Sequence, residues 1–466
     1  MHKLVAIVGS GPSGIFLAQE LMKQMGPNVK IDIFDKHLTP FGLLRHGISP
    51  FHQKLKNKFV NTFEEVLSNS NFIGGVEIGK HLRLQELLDN YHSVALAHGA
   101  NSDWELGVPG EHLFGNLPAF DFVNWYNGNP EFKDQEEYIE EVLMRAKSVA
   151  VIGQGNVAMD VAHMLVSSPS SRMETTMPTN VVKTLNRSHI QTVYLIGRRG
   201  PLQTAFSTGE LNELAKISDC LVDISPIALQ MIQDNDTEKE VLKKSKKWKS
   251  KAKLMKKIHT RYIEAVRNGL DQKMPTIRLV FRRSPKEIIG DKHDYVRTLV
   301  LEHNRLEYKD TADPRGAKCI KTGILETLPI EAVCRSIGYK VGDVVSEGEN
   351  PLEIKKNRLV NQEGRVKGYK NLYTCGWAKR GPTGIVSTNF KCSIETAKTI
   401  ISDFKTQESS EVKKGMEVVS KLLNQRNVKF GSQEAWERIR KAEEKIGRII
   451  NEKKKIDKIA KEEKKN

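Results

Sequence analysis

The stretch VAVIGQGNVAMD, residues 149–160, decides the fold of this chain. An apolar strand leads into a turn in which Gly153 and Gly155 are followed by Ala158. Glycines at this spacing let the chain turn tightly and bring the amides of the next helix close to a phosphate. The stretch therefore predicts a β–α–β unit that carries a dinucleotide pyrophosphate at the N-terminus of its helix.

The next strand, TVYLI at 192–196, indicates which dinucleotide this unit binds. A unit for NAD would place a carboxylate after this strand, where it can bind the ribose 2'-hydroxyl. This chain has Arg198 and Arg199 there instead. Two guanidinium groups suit a 2'-phosphate, so the sequence predicts NADP.

A second glycine motif lies near the N-terminus. The strand KLVAIV at 3–8 runs into Gly9, Gly11 and Gly14, and a later strand, KIDIF, is closed by Asp35. An acid in that place binds the ribose hydroxyls of a second nucleotide. The alternative is a glycine-rich turn that only packs a helix on a sheet, but such turns rarely carry the whole set. We expect FAD here, reduced by NADPH at the other site.

The order of these motifs predicts the architecture. We expect an α/β protein of two doubly wound, Rossmann-like nucleotide-binding domains, with the NADP domain inserted into the FAD domain. The first part of the FAD domain spans 1–105, the NADP domain spans 106–330, and the second part of the FAD domain, with a charged C-terminal helix and tail, spans 331–466. The two rings are expected to meet between the domains.

Composition limits the remaining function classes. With 466 residues, 39% hydrophobic and 28% charged, the chain has the profile of a globular protein, and no apolar run approaches the roughly 20 residues of a membrane span. The five cysteines have no C-x-x-C spacing. This argues against a zinc site, a catalytic dithiol and an iron–sulfur cluster within the chain, so we expect no bound metal. Electrons must therefore leave the flavin for a separate carrier.

The chain resembles the adrenodoxin reductase family, the mitochondrial-type ferredoxin–NADP reductases, over nearly its whole length. The segments that carry the resemblance are PFGLLRHGISPFHQKLKN (40–57), AFDFVNWYNGNPE (119–131), GQGNVAMDVAHML (153–165), IGRRGPLQTAF (196–206), SIGYK (336–340) and GWAKRGPTGI (376–385). The resemblance implies that FAD accepts hydride from NADPH and passes single electrons to an adrenodoxin-like 2Fe-2S ferredoxin with an acidic surface. It leaves iron–sulfur cluster assembly and a cytochrome chain open as the downstream use.

The resemblance also implies the residues that touch the cofactors. Those for FAD are Ser13, Asp35, Leu43, Ile78, Trp377, Gly384, Ile385 and Val386. Those for NADP are Gln154, Gly155, Asn156, Val157, Arg198, Arg199, Glu210 and Gly384. Ile78 rests on the string GVEIG alone, and a core strand residue is nearly as good an interpretation.

His52 and Glu210 are the polar candidates for the reacting end of the site. His52 ends what is usually a Pro-Asp-His string in this family, but Phe51 stands in place of the acid. The alternative for His52 is a structural hydrogen bond. Glu210 is expected to hold the nicotinamide ribose or carboxamide, and its alternative is a solvated helix acid.

The chain carries a net charge of +16, which favours an acidic partner. By resemblance, Lys249 and Lys253 in the lysine-dense stretch 238–261 would meet the ferredoxin. Asn212 replaces a basic residue of the family's docking surface. A solvated lysine-rich helix is the alternative.

Two other functions remain open. One is a subunit like the NADPH-oxidising subunit of glutamate synthase, although its N-terminal cysteine-rich domain is missing here. The other is a degenerate nucleotide-binding protein that holds nucleic acid or a membrane surface. We expect neither nucleic acid nor a transmembrane segment, and we leave peripheral membrane contact open. We expect a monomer in the mitochondrial matrix or a mitochondrion-derived organelle; since the first strand begins at residue 3 with no room for a presequence, the cytoplasm stays open.

Overall fold

A computed structural model describes residues 2–234, 236–308, 316–406 and 412–447. Its strands are β1 (Lys3–Val8), β2 (Val29–Asp35), β3 (Asn71–Gly74), β4 (Ser93–Leu96), β5 (Ser102–Asp103), β6 (Asn116–Pro118), β7 (Ser148–Ile152), β8 (Thr192–Gly197), β9 (Leu221–Ile224), β10 (Thr276–Phe281), β11 (Arg283–Gly290), β12 (Val296–Glu307), β13 (Lys318–Pro329), β14 (Ala332–Arg335), β15 (Tyr339–Lys340), β16 (Ile354–Lys355), β17 (Arg358–Leu359), β18 (Asn361–Gln362), β19 (Arg365–Val366) and β20 (Leu372–Thr374).

The helices are α1 (Pro12–Met25), α2 (Leu43–His46), α3 (Gln53–Ser68), α4 (Leu84–Asn90), α5 (Ala119–Tyr126), α6 (Glu136–Arg145), α7 (Asn156–Val166), α8 (Pro169–Met173), α9 (Thr179–Arg187), α10 (Thr208–Leu214), α11 (Pro226–Asp234), α12 (Asp236–Lys244), α13 (Lys246–Arg267), α14 (Gly376–Arg380), α15 (Val386–Thr406) and α16 (Met416–Gln425). Residues 433–447 are also helical, and the rest of the charged C-terminal segment lies outside the described residues.

The chain divides into two compact units. The first comprises Met1–Arg45, Lys54–Asn101 and Lys340–Asn466, and the second comprises His46–Gln53 and Ser102–Tyr339. The second unit is thus inserted into the first.

The first unit is built on a seven-stranded sheet in the order β18-β19-β20-β4-β1-β2-β3. Strand β1 is apolar throughout its buried part because helices cover both faces of such a parallel sheet. Val8 at the end of β1 lies opposite Phe34 of β2 and Leu96 of β4. The carboxyl ends of three strands therefore meet where Gly9 follows.

The second unit repeats this design on a six-stranded sheet in the order β6-β14-β7-β8-β10-β9, in which all strand pairs are parallel. Ile152 of β7 lies opposite Ile196 of β8, and Gly197 lies opposite Phe281 of β10. This register brings the turn after β7 and the arginines after β8 to one edge. The predicted class, two α/β units with parallel sheets, is confirmed.

The boundaries differ from the sequence-based division. His46–Gln53 lies in the second unit, and that unit resumes at Ser102 rather than at residue 106. Strand β14 pairs with β6 and β7 and so lies in the second unit, which extends to Tyr339 rather than ending at residue 330. Between β10 and β14 the chain makes an antiparallel three-stranded sheet, β11-β12-β13, that no motif had indicated. Because β14 is separated from β7 by this excursion, its pairing could not be deduced from local pattern.

Side-chain packing agrees with this layout. On one face of the second unit's sheet the core includes Phe122, Val151 and Leu195, and on the other face it includes Ile152 and Ile196. In the described part of the chain, no helix has the length and apolar character to cross a lipid bilayer.

Candidate functional site

In the first unit, a glycine turn connects β1 to α1. Gly9 has φ of 110°, and a Cβ there would lie 2.6 Å from the carbonyl oxygen of Ala97. A Cβ on Gly14 would lie 2.0 Å from the carbonyl oxygen of Gly9, so only glycine lets the helix pack this closely. Nothing lies within 4 Å of the Cβ position of Gly11, the N-cap residue, and no side chain caps the helix. The turn thus leaves open space at the N-terminus of a 14-residue helix, as a pyrophosphate requires.

Asp35 closes β2 beside this turn. Its carboxylate accepts hydrogen bonds from the backbone NH of Ser10 at 2.8 Å and of His37 at 2.9 Å. Burial alone would raise the pKa of Asp35, but the hydrogen bonds from His37 and Ser10 outweigh it and hold the pKa below its usual range. Asp35 is therefore an ionised acid next to the turn, the chemistry that ribose hydroxyls need.

The segment GWAKRGPTGI packs on the first turn of α1. Gly376 has φ of 66°, and a Cβ there would lie 1.8 Å from Oγ of Ser13. The hydroxyl of Ser393 on α15 donates to the carbonyl oxygen of Ser13 at 2.9 Å. Trp377 follows directly on α14, and α14 contacts both α1 and α15. The structure thus places Gly376, the neighbour of the predicted residue Trp377, against the predicted residue Ser13.

Gly384, Ile385 and Val386 stand where this segment turns into α15. Gly384 has φ of 84°, and Val386 is the first residue of the helix. The side chain of Ile385 is 62% exposed, although it is a large apolar residue. An exposed apolar residue at a helix N-terminus fits the edge of an aromatic cofactor.

Leu43 and Ile78 have different surroundings. Leu43 begins α2 directly after Gly42, where a Cβ would lie 3.3 Å from the Cα of Gly11 in the glycine turn. Ile78 is only 5% exposed and forms an isolated bridge with Leu82. The burial of Ile78 also suits its alternative interpretation as a core residue.

The glycine turn of the second unit has the same design. Gly153 has φ of 128°, and a Cβ there would lie 2.1 Å from the carbonyl oxygen of Ser336. Nothing lies within 4 Å of the Cβ position of Gly155, the N-cap residue of α7, which also lacks a side-chain cap. Asn156 and Val157 are the first two residues of this 11-residue helix. These residues fit a second pyrophosphate.

The side chain of Gln154 forms hydrogen bonds with the protein backbone. It is buried, and Nε2 donates to the carbonyl oxygens of Leu195 and Val280 at 2.9 Å each. A Cβ on Gly197 would lie 2.1 Å from Oε1 of Gln154, so this glycine makes room for the amide. The side chain therefore ties the ends of β8 and β10 together, and its backbone lies in the turn.

The backbone of the arginine pair is fixed by residues far along the chain. The amide of Asn304 donates from Nδ2 to the carbonyl oxygen of Arg198 at 2.9 Å. The backbone NH of Arg282 donates to the carbonyl oxygen of Arg199 at 2.9 Å. Arg198 is exposed after β8. Sequence reasoning missed Asn304, since nothing in its neighbourhood connects it with a turn 106 positions away.

His52 lies in the second unit between two carboxylates. Its Nε2 is 2.9 Å from Oδ1 of Asp160, and its Nδ1 is 3.8 Å from a carboxylate oxygen of Glu213. The hydrogen bond with Asp160 raises the pKa of His52 above its ordinary value, against the effect of burial. Neither partner was predicted, although Asp160 ends the motif GQGNVAMD.

Glu210 caps the helix that carries Glu213. Its carboxylate accepts from the backbone NH of Ser207 at 2.6 Å, and the hydroxyl of Ser207 accepts from the NH of Glu210 at 3.2 Å. This capping box orients α10 and leaves Glu210 among the negative charges that raise the pKa of His52.

Phe51 has a packing role. Its ring stacks on that of His163, with centroids 4.0 Å apart. Burial lowers the pKa of His163 to about 4, so this imidazole is neutral near pH 7. An acid at position 51 would place its carboxylate where the Phe51 ring now packs against His163. The carboxylate that supports His52 is that of Asp160 instead.

Helix α13 has an exposed side and a buried side. Lys249 and Lys253 are exposed, whereas Trp248, Lys251 and Met255 are buried. The two exposed lysines lie four residues apart, on one helical face.

Comparison with known proteins gives a consistent set of relatives. The NADPH:adrenodoxin oxidoreductase, mitochondrial, of Arabidopsis thaliana is 35% identical over 456 residues, covering 95% of this chain and 91% of that protein. The NADPH-ferredoxin reductase FprA of Mycobacterium tuberculosis is 37% identical over 422 residues, covering 88% and 86%. The solved structure of that FprA in complex with NADPH matches with a TM-score of 0.83 at 33% identity, covering 94% of this chain and 93% of that chain. No protein-family model matches the chain.

Proposed function

This chain belongs to the NADPH:adrenodoxin oxidoreductase family, and we propose that it carries electrons from NADPH through FAD to an iron–sulfur ferredoxin. It is an oxidoreductase, and its cofactors are FAD and NADP. Bound FAD supplies the change from two-electron input to one-electron output.

One observation carries the proposal. A single chain holds two glycine turns of the same design, each opening an uncapped helix, and the two differ in the residue or residues at the end of the next strand. In the first unit that residue is Asp35, and in the second it is the pair Arg198 and Arg199. The site with the acid suits FAD, and the site with the two arginines suits NADP.

The chain's own contribution is binding and electrostatics. The amides at the start of α1 and α7 hold the two pyrophosphates, and Asp35 holds the ribose of FAD. Arg198 and Arg199 bind the 2'-phosphate of NADPH. When FAD is bound, the exposed turn at Gly384 before α15 would offer the positive end of that helix to the flavin edge, where reduction places negative charge.

We assign His52 and Glu210 to the reacting end of NADPH. The imidazole of His52, held between Asp160 and Glu213, keeps its proton to a higher pH than a free histidine does. Its protonated, hydrogen-bond-donating form is therefore favoured relative to a free histidine, with Glu210 as an acceptor at the start of α10.

The docking surface for the ferredoxin is the exposed face of α13 with Lys249 and Lys253. An acidic partner is the chemistry that this face and the net charge of +16 favour. Asn212 is half-buried on α10 and adds no charge. We further propose that the protein is a monomer.

The compartment is also a proposal. The Arabidopsis relative is named as mitochondrial and FprA is bacterial, so both settings occur in the family. We propose the mitochondrial matrix or an organelle derived from it, with the cytoplasm as the alternative. Fractionation of the source cells with an antibody to this chain distinguishes the two.

The test of function is NADPH-driven cytochrome c reduction with and without a 2Fe-2S ferredoxin. We expect a yellow protein whose cytochrome c reduction depends on the ferredoxin, whereas a small dye accepts electrons without it. A colourless protein that binds no FAD, or a yellow one whose rate ignores the ferredoxin, would contradict the proposal.

A further inference from the structure

Lys251 is a buried lysine in the middle of the lysine-dense helix. Its side chain is only 2% exposed, whereas Lys249 and Lys253, two positions to either side, face the solvent. An ammonium group is costly to bury unless polar atoms bind it. Composition gave no reason to separate this lysine from its neighbours, and the proposed docking surface does not use it.

The ammonium group of Lys251 binds the turn formed by residues 204–206. Nζ donates to the carbonyl oxygen of Phe206 at 3.0 Å, to Oγ1 of Thr204 and, at 3.4 Å, to the carbonyl oxygen of Thr204. It also lies 4.6 Å from the centroid of the Phe206 ring, which adds a cation–π contact. Thr204 and Phe206 are themselves buried, so the contacts are shielded from water.

The other side of the same turn binds the nucleotide loop. The backbone NH groups of Ala205 and Phe206 both donate to the carbonyl oxygen of Gln154, each at 3.1 Å. Gln154 stands between Gly153 and Gly155, whose turn opens α7. The turn 204–206 therefore has its carbonyls on the lysine and its amides on the glycine turn.

We propose that Lys251 is a positioning residue for the dinucleotide. Its ammonium fixes the carbonyls of the turn 204–206, so the amides of that turn hold Gln154 and the glycine turn in the conformation that receives a pyrophosphate. The same ammonium anchors α13 and thereby the face with Lys249 and Lys253. This inference rests on the proposed function, because it takes the second unit as the NADPH site.

The effect expected of a Lys251 substitution on cofactor binding differs from that expected of the Arg198 and Arg199 substitutions. The pyrophosphate is common to NADPH and NADH, so Lys251→Met should raise the Michaelis constants of both by the same factor, about tenfold, the effect of losing about one charged hydrogen bond. The selectivity for NADPH should not change. With a small dye as acceptor, kcat should stay within about twofold, since no group that touches the reacting atoms is altered.

The matched control is Lys257→Met, at an exposed lysine of the same helix that the proposed docking surface does not use. It removes one lysine charge from the surface, so it should leave both nicotinamide Michaelis constants within about twofold of the unaltered protein. NADP+ and NAD+ binding is also measured as the rise in Tm of the flavin-loaded protein, which needs no electron acceptor.

Thr204→Val is a second test variant, to be used if the Lys251→Met protein does not fold. It removes one acceptor of the ammonium without altering the lysine, and it should weaken both dinucleotides in the same direction but less. If the folded Lys251→Met protein, or Thr204→Val in its place, binds both dinucleotides as the unaltered protein does, the inference is overturned. A selective loss of NADPH alone also overturns it, because Lys251 would then act at the arginines. If the unaltered protein shows no rise in Tm with NADP+, the proposed function itself fails.

Discussion

Nε2 of His52 lies 2.9 Å from Oδ1 of Asp160, although 108 positions separate the two residues in the chain. Asp160 is the fifth residue of α7, the helix that opens at the glycine turn of the second unit. The helix that is proposed to receive a pyrophosphate therefore also supports the histidine. The replacement of the family's usual acid by Phe51 does not leave His52 without a carboxylate.

Asp160→Asn should lower the pKa of His52 toward its ordinary value of about 6.5, because the main cause of the raised pKa is removed. Folding raises this pKa, so the pair stabilises the fold fully below about pH 6.5, and the stabilisation is lost as the pH rises through the folded value. The stability difference between the unaltered protein and Asp160→Asn should thus be larger at acid pH than at alkaline pH. NMR titration of the histidine and Tm against pH measure the two effects.

Asp236→Asn is the control for this pair, since its carboxylate is 93% exposed and far along the chain from the histidine. It should not move the titration of His52. An unchanged His52 titration in Asp160→Asn would mean that the pair does not form in solution.

Replacing both Arg198 and Arg199 by alanine should reduce the preference for NADPH over NADH by about a hundredfold or more. Each charge-assisted bond to the 2'-phosphate contributes about 1.5 to 3 kcal/mol, and NADH cannot make it. The measurement is kcat/KM for both cofactors with a dye acceptor. NADH kinetics should change little, and equal use of both cofactors by the unaltered protein would refute the NADP assignment.

Asp35→Ala should yield protein with partial FAD content and near-normal turnover per bound flavin. The change removes the ribose acceptor and leaves the contacts at Trp377 and Gly384 in place. Flavin absorbance per protein, measured after dialysis, reports the occupancy. Full occupancy would show that the acid does not bind the nucleotide.

Ser10→Ala separates two roles of Asp35. The carboxylate accepts from the Ser10 hydroxyl as well as from its backbone NH, so the acid also stiffens the glycine turn. If Asp35 binds ribose, Ser10→Ala should retain much more FAD than Asp35→Ala. Equal losses would show that Asp35 acts through the turn.

Reversing the charges of Lys249 and Lys253 to glutamate should raise the Michaelis constant for an acidic ferredoxin and leave dye reduction intact. Ferredoxin-dependent activity of the unaltered protein should fall steeply with salt, because screening lengths are about 10 Å at 0.1 M. Steady-state kinetics at several ionic strengths measure both effects.

Lys398→Glu with Lys405→Glu is the charge-matched control, since both lysines are exposed on α15 in the other unit. It should have a smaller effect on the ferredoxin Michaelis constant. If the two double reversals behave alike, only the overall charge matters and α13 is not the docking surface.

The sequence alone determined the parts of this protein that depend on short-range geometry. Gly9 and Gly153 have φ of 110° and 128°, and a Cβ at either would collide with backbone, so the two turns are specified by the residues themselves. Apolar runs such as that of β1 determined buried parallel strands in the same way. From these signals the two α/β units, their nesting and the candidate cofactor residues could be predicted.

Only the tertiary structure decided the contacts that join distant segments. The pairing of β14 with β7, the carboxylate partners of His52 and the amide of Asn304 at Arg198 each depend on where the sheet brings segments together. Lys251 is the clearest case, because a lysine within a lysine-dense stretch is interpreted from the sequence as a solvent-exposed charge. It is buried because α13 packs its Trp248 and Met255 inward, and the turn 204–206 supplies the oxygens that an ammonium needs.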